Sequence, residues 1–96
     1  MIGLRVEIRN QENSLFMSDA IINIKFFASL REQVGLAEAQ ISEAGVSTVM
    51  DAWNSATDNR EMPENTLMAV NMDYVEASHP VKAGDEVAFF PPVTGG

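Results

Sequence analysis

The end of the sequence, EVAFFPPVTGG (residues 86–96), has the clearest chemical pattern in the chain. An apolar run is followed by two prolines, Pro91 and Pro92, and then by a short tail. Proline donates no backbone hydrogen bond and favours an extended conformation. The pattern therefore predicts a last strand that stops at the prolines and a stiff, extended exit from the domain.

The tail itself, Val93 to Gly96, has the composition of a segment that enters a confined site. Glycine has no Cβ, so Gly95 and Gly96 can pass through a channel that would exclude any side chain. The prolines lower the conformational entropy that the tail loses when a pocket orders it. We therefore expect Val93, Thr94 and Gly95 to insert into a partner and Gly96 to present its carboxylate there.

That carboxylate could act as an acyl donor once it is activated. A free carboxylate is a poor electrophile, and the simplest activated form is an acyl-adenylate that a partner makes with ATP. A sulfur nucleophile would then convert Gly96 to a thiocarboxylate, whereas an amine would form an isopeptide bond. Because the chain has no cysteine, the terminal thiocarboxylate is the natural position for cargo sulfur.

No other part of the sequence offers comparable chemistry. The one histidine, His79, precedes a proline in a turn and has no cysteine or second histidine with which to bind a metal or activate a nucleophile. Three glycines lie alone, without the spacing of a phosphate-binding loop: Gly35, Gly45 and Gly84. We therefore expect no metal site, no tightly bound cofactor and no catalysis by this chain alone.

Composition narrows the class of partner. The 96 residues include 14 acidic and 6 basic side chains, and the net charge of -8 disfavours nucleic acid, whose phosphates the surface would repel. A basic protein surface is the better partner, although an acidic face also simply keeps a protein soluble. No run of about 18 apolar residues could span a membrane, and the charged start, MIGLRVEIRNQENS, is unlike a signal peptide. These features predict a cytoplasmic protein of one domain.

Strand and helix signals begin after the first twenty residues. In residues 21–28, β-branched and aromatic side chains alternate and predict a central strand. Residues 29–32 have capping-box spacing and Gly35 is a stop signal, which together predict a short helix at about residues 30–34. A second strand, at about residues 37–42, would pair back on the first.

One longer helix is predicted from Thr48. Thr48 and Asp51 have the N-cap pattern, and apolar residues then recur at helical spacing: Val49, Met50, Trp53 and Ala56. A lone tryptophan on such a stripe usually packs in the core rather than binding a ligand.

The later part of the chain predicts short strands. Residues 67–70 and 74–76 flank Asn-Met-Asp, which suits a tight hairpin turn, and residues 86–90 form the last strand. On that strand one phenylalanine, Phe89, would enter the core while the other, Phe90, would face outward. The expected core combines the inward positions of sheet and helix: Ile22, Ile24, Phe26, Val49, Trp53, Val70 and Val87.

These elements describe an α+β roll, a mixed sheet with one principal helix packed across it, which is the β-grasp arrangement. The domain would span residues 21–90, with residues 91–96 as the tail. Residues 1–20 fit poorly, and we expect an N-terminal extension or a mis-assigned start, of which residues 1–16 are dispensable for stability. The alternative is that LRVEIR, residues 4–9, adds an edge strand.

Two segments resemble a known family. Residues 22–35, INIKFFASLREQVG, and residues 67–96, LMAVNMDYVEASHPVKAGDEVAFFPPVTGG, are similar to the small, sulfur-carrying subunits of molybdopterin synthase, which are ubiquitin-like β-grasp proteins of the MoaD/ThiS family. The combination of strand, diproline and diglycine makes the ending specific, whereas a lone Gly-Gly would not be. Residues 38–66 match only in the order of their elements.

The resemblance implies a sulfur carrier of molybdenum cofactor biosynthesis with two protein partners. An adenylating enzyme similar to ubiquitin-activating enzymes would use ATP and magnesium to adenylate Gly96, and a sulfur donor would convert it to a thiocarboxylate. The tail would then enter the large synthase subunit and deliver sulfur to a pterin precursor. The apolar face formed by Phe90, Pro91 and Pro92 would dock on that subunit, which supplies the catalytic side chains.

Other functions stay open at the level of sequence. A thiamine-pathway sulfur carrier shares the fold and the Gly-Gly ending, although FFPPVT is not expected there. A ubiquitin-like modifier would join Gly96 to lysines of target proteins. A plain binding module would instead offer FFPPV to an aromatic groove as a proline-rich ligand, and this mode would tolerate residues added after Gly96.

Overall fold

A computed structural model of the protein describes residues 20–92, in which five strands form one mixed sheet. The strands are β1 (Ile21–Phe26), β2 (Glu38–Ser42), β3 (Leu67–Val70), β4 (Asp73–Val75) and β5 (Glu86–Phe90), and the helices are α1 (Ser29–Val34) and α2 (Val49–Thr57). Neither helix in this part of the chain has the length and apolar composition needed to cross a membrane. The predictions for residues 1–19 lie outside the described residues.

The sheet has the strand order β2-β1-β5-β3-β4. Its central pair, β1 and β5, is parallel, and every other pair of neighbours is antiparallel. β1 is therefore a central strand, and β2 pairs back on it, as the sequence predicts. With α2 packed across one face, this is the predicted α+β roll.

The core lies between the sheet and α2. β1 buries every second residue, in agreement with its alternating pattern. Three aromatic rings fill the centre: the ring centroids of Phe26 and Phe89 are 5.7 Å apart, and Trp53 packs edge-on against them at 5.7 Å and 5.0 Å, respectively. The predicted core is confirmed, because every one of its members is buried: Ile22, Ile24, Phe26, Val49, Trp53, Val70 and Val87.

The start of α2 is fixed by a reciprocal capping box. The Asp51 backbone N–H donates to Thr48 Oγ1 at 3.2 Å, and Asp51 Oδ2 accepts from the Thr48 N–H at 3.2 Å and the Ser47 N–H at 3.0 Å. These backbone donors, Ser47 first and then Thr48, lower the pKa of the Asp51 carboxyl from its usual 3.8. The predicted helix start is confirmed.

The apolar stripe of α2 differs from the prediction at one position. Met50 was expected on the buried face but is 36% exposed, and Ala52 is buried instead. Residues 49, 52, 53 and 56 are spaced by three and four, so they share one face, whereas residue 50 is turned about 100° away from residue 49. The indole of Trp53 keeps a hydrogen-bond partner on this face, because its Nε1 donates to the Arg60 carbonyl at 2.6 Å.

The predicted capping box of α1 is wrong. Ser29 is the first residue of the helix rather than its cap, and the cap position is held by Ala28, with φ 54° and no side-chain hydrogen bond. The Phe27 and Ala28 carbonyls accept from the N–H groups of Leu30 and Arg31, so the turn begins directly after β1. The stop at Gly35 is confirmed, since this residue has φ 85° and donates its N–H to the Arg31 carbonyl at 2.9 Å.

The predicted hairpin forms between β3 and β4. Its connection consists of Asn71 and Met72, with φ values of 50° and 76°. Positive φ at both central residues is the geometry of the tight turn that matches the twist of paired strands. The second strand begins at Asp73, one residue earlier than the sequence predicts.

Candidate functional site: aromatic surface and tail exit

The site begins with two pairs of adjacent phenylalanines, at the ends of β1 and β5. Because these strands are parallel neighbours and Phe26 pairs with Phe89 in register, the residues that follow, Phe27 and Phe90, also come together. The Phe27 N–H donates to the Phe89 carbonyl at 3.0 Å and extends the pairing past the end of β1. The alternation of side chains then places one ring of each pair on each face of the sheet.

The outward rings are stacked. The ring centroids of Phe27 and Phe90 are 4.7 Å apart and the ring planes differ by 5°. Tyr74, on the edge strand β4, lies 6.2 Å from Phe90 and is 71% exposed. Phe27 is 39% exposed. Aromatic rings this exposed contribute little to the core, so they form an apolar surface on the side of the sheet that α2 does not cover.

We call this region the aromatic surface and define it by its three rings, Phe27, Tyr74 and Phe90, with the groove between them. The groove has a volume of about 230 Å³. Its floor is formed by Ala69 and Ala88, which face each other in the β3–β5 register and whose small side chains leave the space between the rings open. The rim is completed by Met72 and Glu86.

Charge on the rim is partly compensated. Lys25 Nζ lies 3.6 Å from Glu86 Oε2, and both side chains are well exposed. Surface pairs of this kind contribute little to stability. The charge at the groove is therefore represented by Glu86, beside Lys25.

The tail leaves the domain at one end of the aromatic surface. β5 ends at Phe90, which is opposite Leu67 of β3, and Phe90 is half-buried. Pro91 is half-buried and Pro92 is exposed. The predicted strand end at the prolines is confirmed. The other predicted site residues, Val93, Thr94, Gly95 and Gly96, lie outside the described residues, and their roles stay predictions.

At the other end of the groove, a buried carboxylate fixes the β3–β4 turn. Asp85, with 5% of its surface exposed, accepts from Asn71 Nδ2 at 3.0 Å and from the Lys82 N–H at 2.9 Å. Asn71 in turn accepts from the Glu86 N–H at 3.0 Å and donates its own N–H to the Glu86 carbonyl at 2.8 Å. The turn is thereby attached to the start of β5.

The environment of Asp85 favours its ionised form. Burial alone would raise the pKa of this carboxyl, but the hydrogen bonds from Asn71 and the Lys82 backbone, together with the Lys82 charge, outweigh burial and lower the pKa from its usual 3.8. Lys82 Nζ lies 3.6 Å from Asp85 Oδ1. Within residues 20–92, the hydrogen-bond partners of Asp85 belong to the fold, and the carboxylate has a structural role.

His79 has a structural role in the backbone. Its N–H donates to the Glu76 carbonyl at 3.0 Å, and its carbonyl accepts from the N–H of Val49, at the start of α2, at 3.0 Å. The prediction that His79 is a turn residue agrees with this geometry. Within residues 20–92, no group of histidine and acidic side chains has the arrangement needed to hold a metal ion.

Three residues of the site were not singled out from the sequence: Phe27, Met72 and Tyr74. A signal for Phe27 was present, because each FF pair must send one ring to each face of the sheet once both strands are assigned. Tyr74 and Met72 could not be placed beside Phe90 without the strand order, since β3 separates them from β5.

Comparisons with known proteins agree with this architecture. Residues 24–96 match the ThiS family. The chain is 40% identical over 86 residues to the molybdopterin synthase sulfur carrier subunit of Escherichia coli (strain K12), a match that covers 79% of this chain and 100% of the relative. It is 35% identical over 85 residues to the subunit of the same name from Haemophilus influenzae, with coverages of 79% and 100%.

Among solved structures, the H. volcanii small archaeal modifier protein 1 has a TM-score of 0.64 at 29% identity, and the match covers 77% of this chain and 99% of that one. Likenesses of this kind establish the fold as a ubiquitin-like β-grasp, which confirms the predicted fold class. The family match also runs through residues 38–66, where the resemblance read from the sequence was limited to element order. The chain therefore belongs to the ThiS family.

Proposed function

We propose that this chain is the sulfur carrier subunit of a molybdopterin synthase and that the carboxylate of Gly96 is the carrier group. The observation that carries the proposal is the aromatic surface at the root of the tail. A tail that delivers a reactive group must be held against its partner, and the surface supplies exposed apolar area where the tail departs. The two relatives that match over their whole length support the same activity.

The carrier step is acyl transfer at Gly96. A carboxylate oxygen attacks the α-phosphorus of ATP on an adenylating enzyme, pyrophosphate leaves, and an acyl-adenylate forms. Hydrosulfide supplied by a sulfur donor then attacks the acyl carbon, AMP leaves, and the product is a thiocarboxylate. ATP and magnesium belong to the adenylating enzyme in this scheme, and the present chain needs no tightly bound cofactor.

Delivery of sulfur depends on the length of the tail. Gly96 is the sixth residue after Phe90, and an extended chain spans at most about 3.3 to 3.6 Å per residue, so the carboxylate reaches about 20 Å from the aromatic surface. A partner that holds Gly96 in its active site must therefore cover the surface around Phe90. In our proposal that partner is the large synthase subunit, which supplies the catalytic side chains and in whose active site the pterin precursor receives the sulfur.

The negative charge of the chain would also guide its association with the partner. The chain has a net charge of -8, so a basic region around the entrance to the partner's channel would accelerate association and would make it sensitive to salt. We place this exchange in the cytoplasm, where ATP and the adenylating enzyme would be available.

The proposal is tested by the intact mass of the full chain after incubation with its adenylating enzyme, ATP, magnesium and sulfide. The expected product is heavier by the difference between one sulfur and one oxygen atom. The chain lacking Gly96 should show no such product, and its melting temperature should match that of the wild type, because no residue of the described core lies beyond Phe89. An unchanged mass for the wild-type chain would contradict the proposal.

Two further variants test the geometry of delivery. One alanine added after Gly96 moves the carboxylate past the reacting centre, and misplacement by about 1 Å can cost on the order of a hundredfold in rate. Gly95→Val adds a branched side chain where the channel has room for none. Both should abolish sulfur transfer to the pterin precursor in the presence of the large subunit. One alanine added before Met1 is the matched control and should leave transfer intact.

A second candidate function is protein modification, which the likeness to a small archaeal modifier protein favours. Conjugates of the chain with other proteins, lost when Gly96 is deleted, would support that function. Normal activity of the chain with an added terminal alanine would instead favour a proline-rich ligand, since such a ligand does not need a free carboxylate.

A further inference from the structure

Met72 combines two unfavourable features. It occupies the second central position of the β3–β4 turn with φ 76°, where the tight turn strongly prefers glycine. It is also 91% exposed, which makes it the most exposed large apolar residue within residues 20–92. A side chain in a left-handed backbone region carries strain, and here no burial within the domain offsets that strain.

The turn that carries Met72 is nevertheless held in place. Asn71, the preceding residue, is bonded through its backbone to Glu86 and through its side chain to both Glu86 and the buried Asp85. These bonds attach the turn to β5, which also carries Phe90. Met72 therefore has a fixed position relative to the aromatic surface.

Met72 lines the same groove as the three rings, at the end opposite to the tail exit. The β3–β5 register places Leu67 beside Phe90, at the tail, and Val70 beside Val87, next to the turn. Methionine is flexible and polarisable and suits an apolar pocket with aromatic walls. A contact with a partner at the Met72 end of the groove would therefore add to the contact made by the tail at the opposite end.

We propose that Met72 is an apolar anchor that enters a pocket on the large synthase subunit and helps to determine which large subunit the carrier accepts. This inference rests on the proposed function. The tail and Met72 then form two contacts at opposite ends of one surface, and two separated contacts fix the rotation of the carrier on its partner. Residues that fill a partner's pocket in this way commonly dominate the affinity of an interface.

The test compares three substitutions in the full chain: Met72→Leu, Met72→Gln and Met72→Gly. Each purified variant is titrated into the large subunit by calorimetry, and its melting temperature is measured alone. Leucine and glutamine keep the strained backbone and a similar side-chain size, so they differ chiefly in polarity. We expect Met72→Leu to bind within about threefold of the wild type and Met72→Gln to bind about tenfold or more weakly.

Met72→Gly distinguishes the effect of backbone strain on stability from the effect of the side chain on affinity. Glycine relieves the left-handed conformation, so the melting temperature should stay the same or rise, while the affinity should fall about tenfold or more. Met50→Gln, on α2 at the other face of the sheet, is the matched control and should leave the affinity unchanged.

Equal affinities for Met72→Leu and Met72→Gln, or wild-type affinity for Met72→Gly, would overturn the anchor. This holds even if the glycine variant is unstable, because the leucine and glutamine variants decide the question between them. Failure of the wild-type chain to bind the large subunit would have a different meaning: it would reject the docking step of the proposed function and the anchor with it.

Discussion

The two phenylalanine pairs show how one residue type serves two purposes at adjacent positions. Phe26 and Phe89 are almost completely buried beneath α2 and contact Trp53. Phe27 and Phe90 stack on the other face, away from α2. Both pairs of rings are brought together by the same parallel pairing of β1 and β5. The two pairs differ only in the face of the sheet on which their side chains lie.

This contrast separates stability from recognition. The inward rings remove apolar area from water when the chain folds, and folding alone explains their presence. The outward rings gain less from folding, and in our proposal they are buried instead against a partner. Substitutions on the two faces should therefore give opposite patterns of unfolding free energy and affinity.

The largest effect is expected for Phe89→Ala. Removing this buried ring should lower the free energy of unfolding by about 3 to 5 kcal/mol, because it leaves a cavity between Phe26 and Trp53. Phe90→Ala is the matched control and should cost less than about 1.5 kcal/mol. Urea denaturation of both variants measures the difference, and equal losses would show that the two faces are not distinct.

Phe27→Ala should show the opposite pattern, with its main effect on the affinity for the partner rather than on the free energy of unfolding. Loss of this ring should weaken the complex with the large synthase subunit by about 2 kcal/mol, or roughly thirtyfold, because Phe27 and Phe90 form one stacked unit. Phe90→Ala should weaken the complex similarly. Titration of both variants against Met50→Ala, on the helix side, provides the comparison. Unchanged affinity for Phe27→Ala would place the interface elsewhere.

Asp85→Asn should lower the stability of the fold by an amount that depends on pH. At pH 7 the loss of charge-assisted hydrogen bonds should lower the free energy of unfolding by about 1.5 to 2 kcal/mol. The pKa of Asp85 is lowered in the folded state, so its contribution is present above the ordinary value of 3.8 and is lost as the pH falls below it.

The wild type should therefore lose stability as the pH falls below about 4. Asp85→Asn should show a shallower decline over the same range, which thermal unfolding at several pH values would reveal. Part of the decline should remain, since the pKa of Asp51 is lowered as well. Parallel pH profiles for the two proteins would show that Asp85 is not the responsible group.

The smallest effect is expected for Thr48→Ala. Removing the capping hydroxyl should cost about 1 kcal/mol of stability. Because the cap lies on the helix that covers the inner face, affinity for the large subunit should not change. A loss of affinity would show that the two faces are coupled through α2.

Much of the division between a buried inner face and an exposed outer face of the sheet could be predicted from the sequence. Alternation in residues 21–26 and the Thr48 cap determine the inner face, because burial and capping leave local patterns. The partner of Phe27 could not be identified in the same way, because it depends on the parallel pairing of strands that are sixty residues apart in the chain. The cap of α1 was missed since it rests on the backbone conformation of Ala28 rather than on a side chain.

The placement of β5 has a mechanical consequence for the tail. β5 is hydrogen-bonded on both sides, in parallel to β1 and in antiparallel to β3. A pull on the tail acts along the strand and loads both rows of hydrogen bonds in shear, so they must break together rather than peel apart one at a time. The anchorage of the tail should therefore resist the force that the proposed insertion of the last residues into a partner's channel, and their release from it, would apply.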